Sequence, residues 1–86
     1  MTPRAFNAAT VRSFVPAQSG VYGLSNARNW LMIGESDNIQ QSLLEHLNDV
    51  GAEQSRPTGF IFEVCDRAAR SLRHRRLVGE YHPARS

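Results

Sequence analysis

Two apolar runs of strand length, Val21–Leu24 and Trp30–Gly34, stand on either side of the five-residue segment Ser25-Asn26-Ala27-Arg28-Asn29. Runs this short, split by a polar turn, favour an antiparallel hairpin over a helix. Pro16-Ala17-Gln18-Ser19-Gly20 gives a second turn signal just before the first run. From Asp37 the period changes. Ile39, Leu43, Leu44, Leu47 and Val50 fall within about 140° of a helical wheel, with Asp37 the expected N-cap and Gly51 the expected stop.

After a polar segment, 51–57, the run Gly59–Cys65 alternates Phe60, Phe62 and Val64 against Ile61, Glu63 and Cys65, which is the period of a strand. Asp66 then stands at the N-cap of a last helix that Pro83 must end, because the residue before a proline is pushed out of helical geometry. Leu77, Val78 and Tyr81 form an apolar stripe of about 100° on that helix, and His74 lies at its centre, directed inward. The order strand, strand, helix, strand, helix predicts an α+β fold. The expected architecture is a small three-stranded mixed sheet flanked by helices, with residues 15–86 as the domain and 1–14 as an N-terminal extension.

A chain of 86 residues has room for one small core. With 41% apolar and 21% charged residues it has the composition of an ordinary globular domain, and a mean hydropathy of -0.42 argues against a membrane span. The N-terminus lacks the pattern of a secretory signal, so a cytoplasmic location is expected. Cys65, alone, can form neither an internal disulfide nor a multi-cysteine metal site, and it is expected to be a small buried apolar residue. No cofactor and no metal site are expected.

Every one of the ten basic residues is an arginine. Residues 1–65 hold four arginines against six acids, whereas residues 66–86 hold six arginines against Asp66 and Glu80. The positive charge therefore sits in the last quarter, with Arg67, Arg70, Arg73, Arg75 and Arg76 on the final helix. The planar guanidinium suits bidentate contact with phosphate or carboxylate.

Gly20-Val21-Tyr22, then Met32-Ile33-Gly34, then Glu35-Ser36-Asp37-Asn38-Ile39 and His46, together resemble the GIY-YIG nuclease domain. The resemblance runs from about Val15 to Ser86, and Leu77-Val78 with Pro83 fits the family's closing segment. It implies the β-β-α-β-α order and phosphodiester hydrolysis. In that chemistry a tyrosine acts on the water, an arginine on the first helix stabilises developing charge, and a glutamate on the last helix holds a divalent metal. A metal polarises a phosphoryl oxygen and offsets its charge.

Carried over residue by residue, Gly20, Tyr22, Ile33, Gly34 and His46 match. The second motif's tyrosine becomes Met32, the helix arginine Ser42, the metal-binding glutamate His74, and the asparagine after the proline Ser86. Methionine can neither ionise nor donate a hydrogen bond, serine carries no charge, and neutral imidazole is a poor magnesium ligand. Losing one charge-stabilising donor costs about two to three decades in rate.

The resemblance thus implies a catalytically degenerate domain, with Tyr22, His46 and His74 as remnant catalytic positions. Arg70, Arg73, Arg75 and Arg76 are the candidate nucleic-acid contacts. Two alternatives stay open. One is a protein-interaction or homo-oligomerisation module whose arginines meet acidic partners. The other is a residual metal-dependent endonuclease using Tyr22, His46 and His74.

Overall fold

The computed structural model describes residues 3–27, 29–49 and 57–84. The expected turn position Arg28, the helix-end positions Val50 and Gly51, most of the polar segment after them, and Ser86 lie outside the described residues. The elements are β1 (Arg4–Ala5), α1 (Ala8–Phe14), β2 (Gly20–Ser25), β3 (Trp30–Ser36), α2 (Ile39–Asp49), β4 (Gly59–Val64) and α3 (Arg67–Tyr81).

The described strands form one sheet in the order β1-β4-β2-β3, with every neighbour antiparallel. This corrects the expectation of a three-stranded mixed sheet. Within the segment expected as an extension, Arg4 and Ala5 form a fourth strand and pair with Phe60 and Gly59. The hairpin of β2 and β3 forms as its turn residues predict, Tyr22 opposite Gly34, with a register shift between Leu24 and Ser25. On its other side Tyr22 stands opposite Phe62. The close approach of β4 explains Gly20, since a β-carbon there would run into the Glu63 carbonyl and the Ile39 side chain.

Side chains alternate across the sheet, so its two faces carry separate apolar clusters. Tyr22, Leu24 and Phe60 join Phe6, Val11, Val15, Ile39 and Leu43 under α1 and α2. Val21 and Ile33 join Leu77 under α3, with Trp30, Val78, Tyr81 and Cys65 packed around them. Cys65 is half-buried rather than buried, and burial followed by the nearby Glu63 charge pushes its thiol pKa up.

The helix starts differ in one instructive way. Asn7 caps α1, its Oδ1 accepting the Thr10 N–H at 2.8 Å. For α2 the N-cap is Asn38 and not Asp37: Asn38 Oδ1 accepts the Gln41 N–H at 3.0 Å, and the Ser36 hydroxyl accepts the Asn38 N–H at 2.9 Å. Asp37 is drawn off by arginines of α3, described below. Asp66 holds the N-cap position of α3 without a side-chain capping bond. At the other end His82 takes a left-handed conformation, φ 50°, and the Ala84 N–H bonds the Trp30 carbonyl at 3.1 Å, fastening the chain beyond Pro83 to β3.

Candidate functional site

The α1/α2 face holds two of the three remnant positions in contact. The Tyr22 hydroxyl and His46 Nε2 share a hydrogen bond of 3.0 Å, with ring centroids 5.6 Å apart. Tyr22 is 6% exposed and lies against Gly34, where any side chain would collide with the phenol ring. Burial, and secondarily the Glu45 charge, push the Tyr22 pKa up. A phenol so shifted gives up its proton less readily than free tyrosine.

Ser42 shares a 2.6 Å hydrogen bond with Ser36, tying the first turn of α2 to the end of β3. Where the resemblance implies a guanidinium, the structure has two hydroxyls satisfied by one another. Met32 is part of the apolar packing around Tyr22.

The third remnant position is held on the α3 side of the sheet. His74 Nε2–H donates to the Ile33 carbonyl of β3 at 3.0 Å, which fixes the tautomer and leaves Nδ1 3.9 Å from Glu35 Oε2. Glu35 is itself engaged. Arg70 Nε donates to Glu35 Oε1 at 3.2 Å, Ser71 donates to the same oxygen at 3.5 Å, and the other arm of Arg70 donates to Asp37 at 2.6 Å and to Ser19 at 3.1 Å. Arg67 adds a 3.5 Å ion pair with Asp37. The hydrogen bond from Arg70, then the charge of Arg67, hold the Asp37 carboxyl below the usual range. One helical turn on, Arg73 grips Glu63 of β4 with two bonds, 2.5 and 2.8 Å.

These contacts divide the four arginines expected to face nucleic acid. Arg70 and Arg73 are turned onto the protein's own carboxylates, while Arg75 and Arg76 are exposed and have no ion pair among the described residues. The pairing was missed in the sequence because it joins residues from 10 to 35 positions apart. Its one visible signal was the three-residue spacing of Arg67, Arg70 and Arg73, which places them along one side of a helix facing the acids at strand ends.

The donor set does not fit the divalent cation that the fold family implies. His74 spends one ring nitrogen on a backbone carbonyl, and Glu35 is already compensated by Arg70. Among the described residues, no three His, Cys, Asp or Glu side chains gather closely enough to hold a metal ion. His82 lies past the end of α3 and joins no cluster with His46 and His74. No described helix is long and apolar enough to cross a membrane.

No protein-family model and no curated protein sequence matches this chain. Solved structures do. The GIY-YIG N-terminal endonuclease domain of UvrC from Thermotoga maritima, bound to its catalytic magnesium, superposes with a TM-score of 0.66 at 19% identity, covering 86% of this chain and 92% of that one. A point mutant of the same domain, bound to its catalytic divalent cation, superposes with a TM-score of 0.65 at 17% identity, covering 86% and 91%. The chain therefore has a GIY-YIG-like fold.

Proposed function

We propose that this chain is a GIY-YIG-like domain that has lost phosphodiester hydrolysis and binds nucleic acid through the exposed arginines of α3. The observation that carries the loss is the engagement of His74 with the Ile33 carbonyl, beside a Glu35 neutralised by Arg70. A cation bound there would have to displace a guanidinium and would find one carboxylate and one imidazole nitrogen. Magnesium prefers several oxygens. With Ser42 bonded to Ser36, no guanidinium of α2 faces the position where charge would develop.

Binding is supported by Arg75 and Arg76, two exposed guanidinium groups without internal partners among the described residues, on a fold whose solved examples include an endonuclease domain. Arg67, exposed and only loosely paired with Asp37, extends that positive side toward the start of α3. Contact with phosphates needs no sequence readout and weakens steeply with salt. A cytoplasmic location accords with such a partner.

The test uses purified protein with duplex, branched and single-stranded DNA and RNA, titrated by fluorescence anisotropy at rising salt. Binding that falls with salt and is removed by Arg75→Ala with Arg76→Ala is expected. A flat salt response, or no binding to any of these, rejects the proposal, and cleavage in magnesium, manganese or zinc rejects its first half.

A further inference from the structure

The hairpin turn and the end of α3 meet at a recess of about 330 Å³, lined by Pro3, Ser25, Asn26, Asn29, Trp30 and Tyr81. This volume is at the small end of the roughly 300–1,000 Å³ typical of ligand sites. Trp30 and Tyr81 form a tilted aromatic pair, centroids 4.6 Å apart and planes inclined by 32°, and both residues are half-buried. The arrangement is fixed from two sides. Trp30 lies on β3, Tyr81 ends α3, and the Ala84 N–H bond to the Trp30 carbonyl ties the chain beyond the helix to the strand. Beside them the Asn29 N–H donates to Asn26 Oδ1 at 2.8 Å and the Asn26 N–H to the Asn29 carbonyl at 2.9 Å.

Polar groups accompany the rings. The Trp30 indole N–H, the Tyr81 hydroxyl and the Asn29 side-chain amide have no hydrogen bond to another described residue. A half-buried aromatic pair among lining residues with polar side chains suits a planar heterocycle with hydrogen-bonding edges. Tyr81 lies five residues beyond Arg76, about 7.5 Å along the helix and about 140° around it, so a strand that meets both has to wrap part of the way round α3.

We infer that the Trp30–Tyr81 recess is a stacking site for an unpaired nucleobase, the base-binding complement of the phosphate contacts at Arg75 and Arg76. Its choice of ligand rests on the nucleic-acid reading above, because the positive end of the chain selects a polyanion and the rings select its bases. Stacking on an aromatic side chain tolerates any base, so the site favours single-stranded or extruded nucleotides over intact duplex.

Trp30, the one tryptophan of the chain, gives a readout that does not depend on phosphate binding. The indole N–H cross-peak is followed while adenosine, thymidine and a short oligothymidylate are added in turn. All three are expected to shift it. Tyr81→Leu should abolish the nucleoside shifts and weaken the oligonucleotide by about 5- to 150-fold, the range for one lost stacked base. Tyr81→Phe, which keeps the ring, should retain both, and a dispersed amide spectrum confirms that each variant is folded.

Salt-sensitive oligonucleotide binding that leaves the indole peak unmoved, with no response to nucleosides, overturns the stacking site while the arginine reading stands. Nucleoside shifts without oligonucleotide binding keep the site and reject the arginine reading. A shift produced by a proline-rich peptide and by neither nucleoside overturns the choice of ligand.

Discussion

The ring of Tyr22 lies so close on Gly34 that a β-carbon at position 34 would stand 2.5 Å from its Cζ and 2.6 Å from its hydroxyl oxygen. The phenol cannot swing away cheaply, because it is buried and bonded to His46. Gly34→Ala should therefore cost about 1–3 kcal/mol, the usual range for overpacking, and break the Tyr22–His46 contact. Urea unfolding measures the first and the His46 ring resonances the second. An unchanged midpoint would mean that the two strands accommodate the methyl.

The first fourteen residues should behave as part of the folding unit. Val11 is fully buried among Phe6, Val15 and Leu43. Val11→Ala removes two methyl groups, each worth about 0.8 kcal/mol of transfer free energy, and leaves a cavity, so a loss of about 2 kcal/mol is expected. If the substitution proves neutral in thermal or urea unfolding, the segment is only an appendage.

Freeing an internally paired arginine should strengthen nucleic-acid binding. Glu63→Gln keeps the shape at position 63 while releasing Arg73, and Glu35→Gln does the same for one of the carboxylates of Arg70. Each variant is expected to bind more tightly at low salt. If the released guanidinium reaches a phosphate, the slope of log K against log salt steepens by about 0.7 for a single strand or 0.9 for a duplex. Stability should fall little, since the Arg73–Glu63 side chains are about one-third exposed, 32% and 35%. Weaker binding in both variants would place the arginines' function in holding α3.

Acid should loosen the fastening of α3 through Asp37. Its carboxyl is held low by Arg70 and Arg67, so the folded state prefers it ionised. That contribution is present above the ordinary aspartate value of about 3.9 and is lost as the pH falls through the lower folded value. With Asp37 67% exposed the effect is small and should shrink further in high salt. Melting temperatures of the parent and of Asp37→Asn, taken from about pH 5 downward, should converge below pH ~4. Parallel curves throughout would remove Asp37 from the account.

Much of the fold is legible in the sequence because its signals are local. Alternation gives β4, the turn between two apolar runs gives the β2–β3 hairpin, and the inward direction of His74 follows from the stripe of Leu77, Val78 and Tyr81. The resemblance carried by Gly20, Tyr22, Gly34 and His46 implies that Tyr22 and His46 lie together, and their side chains share a 3.0 Å hydrogen bond. What sequence reasoning missed are the elements too short to declare themselves. β1 has two residues and α1 seven, and neither would persist alone; burial of Phe6, Val11 and Val15 against the sheet holds them.

Partner choice among charges was likewise decided only by tertiary structure. The sequence determines that α3 carries five arginines, but which of them meet carboxylates depends on how the helix is rotated and slid over β3 and β4. That placement is set by Leu77 packing on Val21 and Ile33, and it brings Arg70 to Glu35 and Asp37 and Arg73 to Glu63 while leaving Arg75 and Arg76 outside. Apolar periodicity fixes a helix face from neighbours three and four residues away. An ion pair between distant segments exists only once the cores have closed and brought the two side chains together.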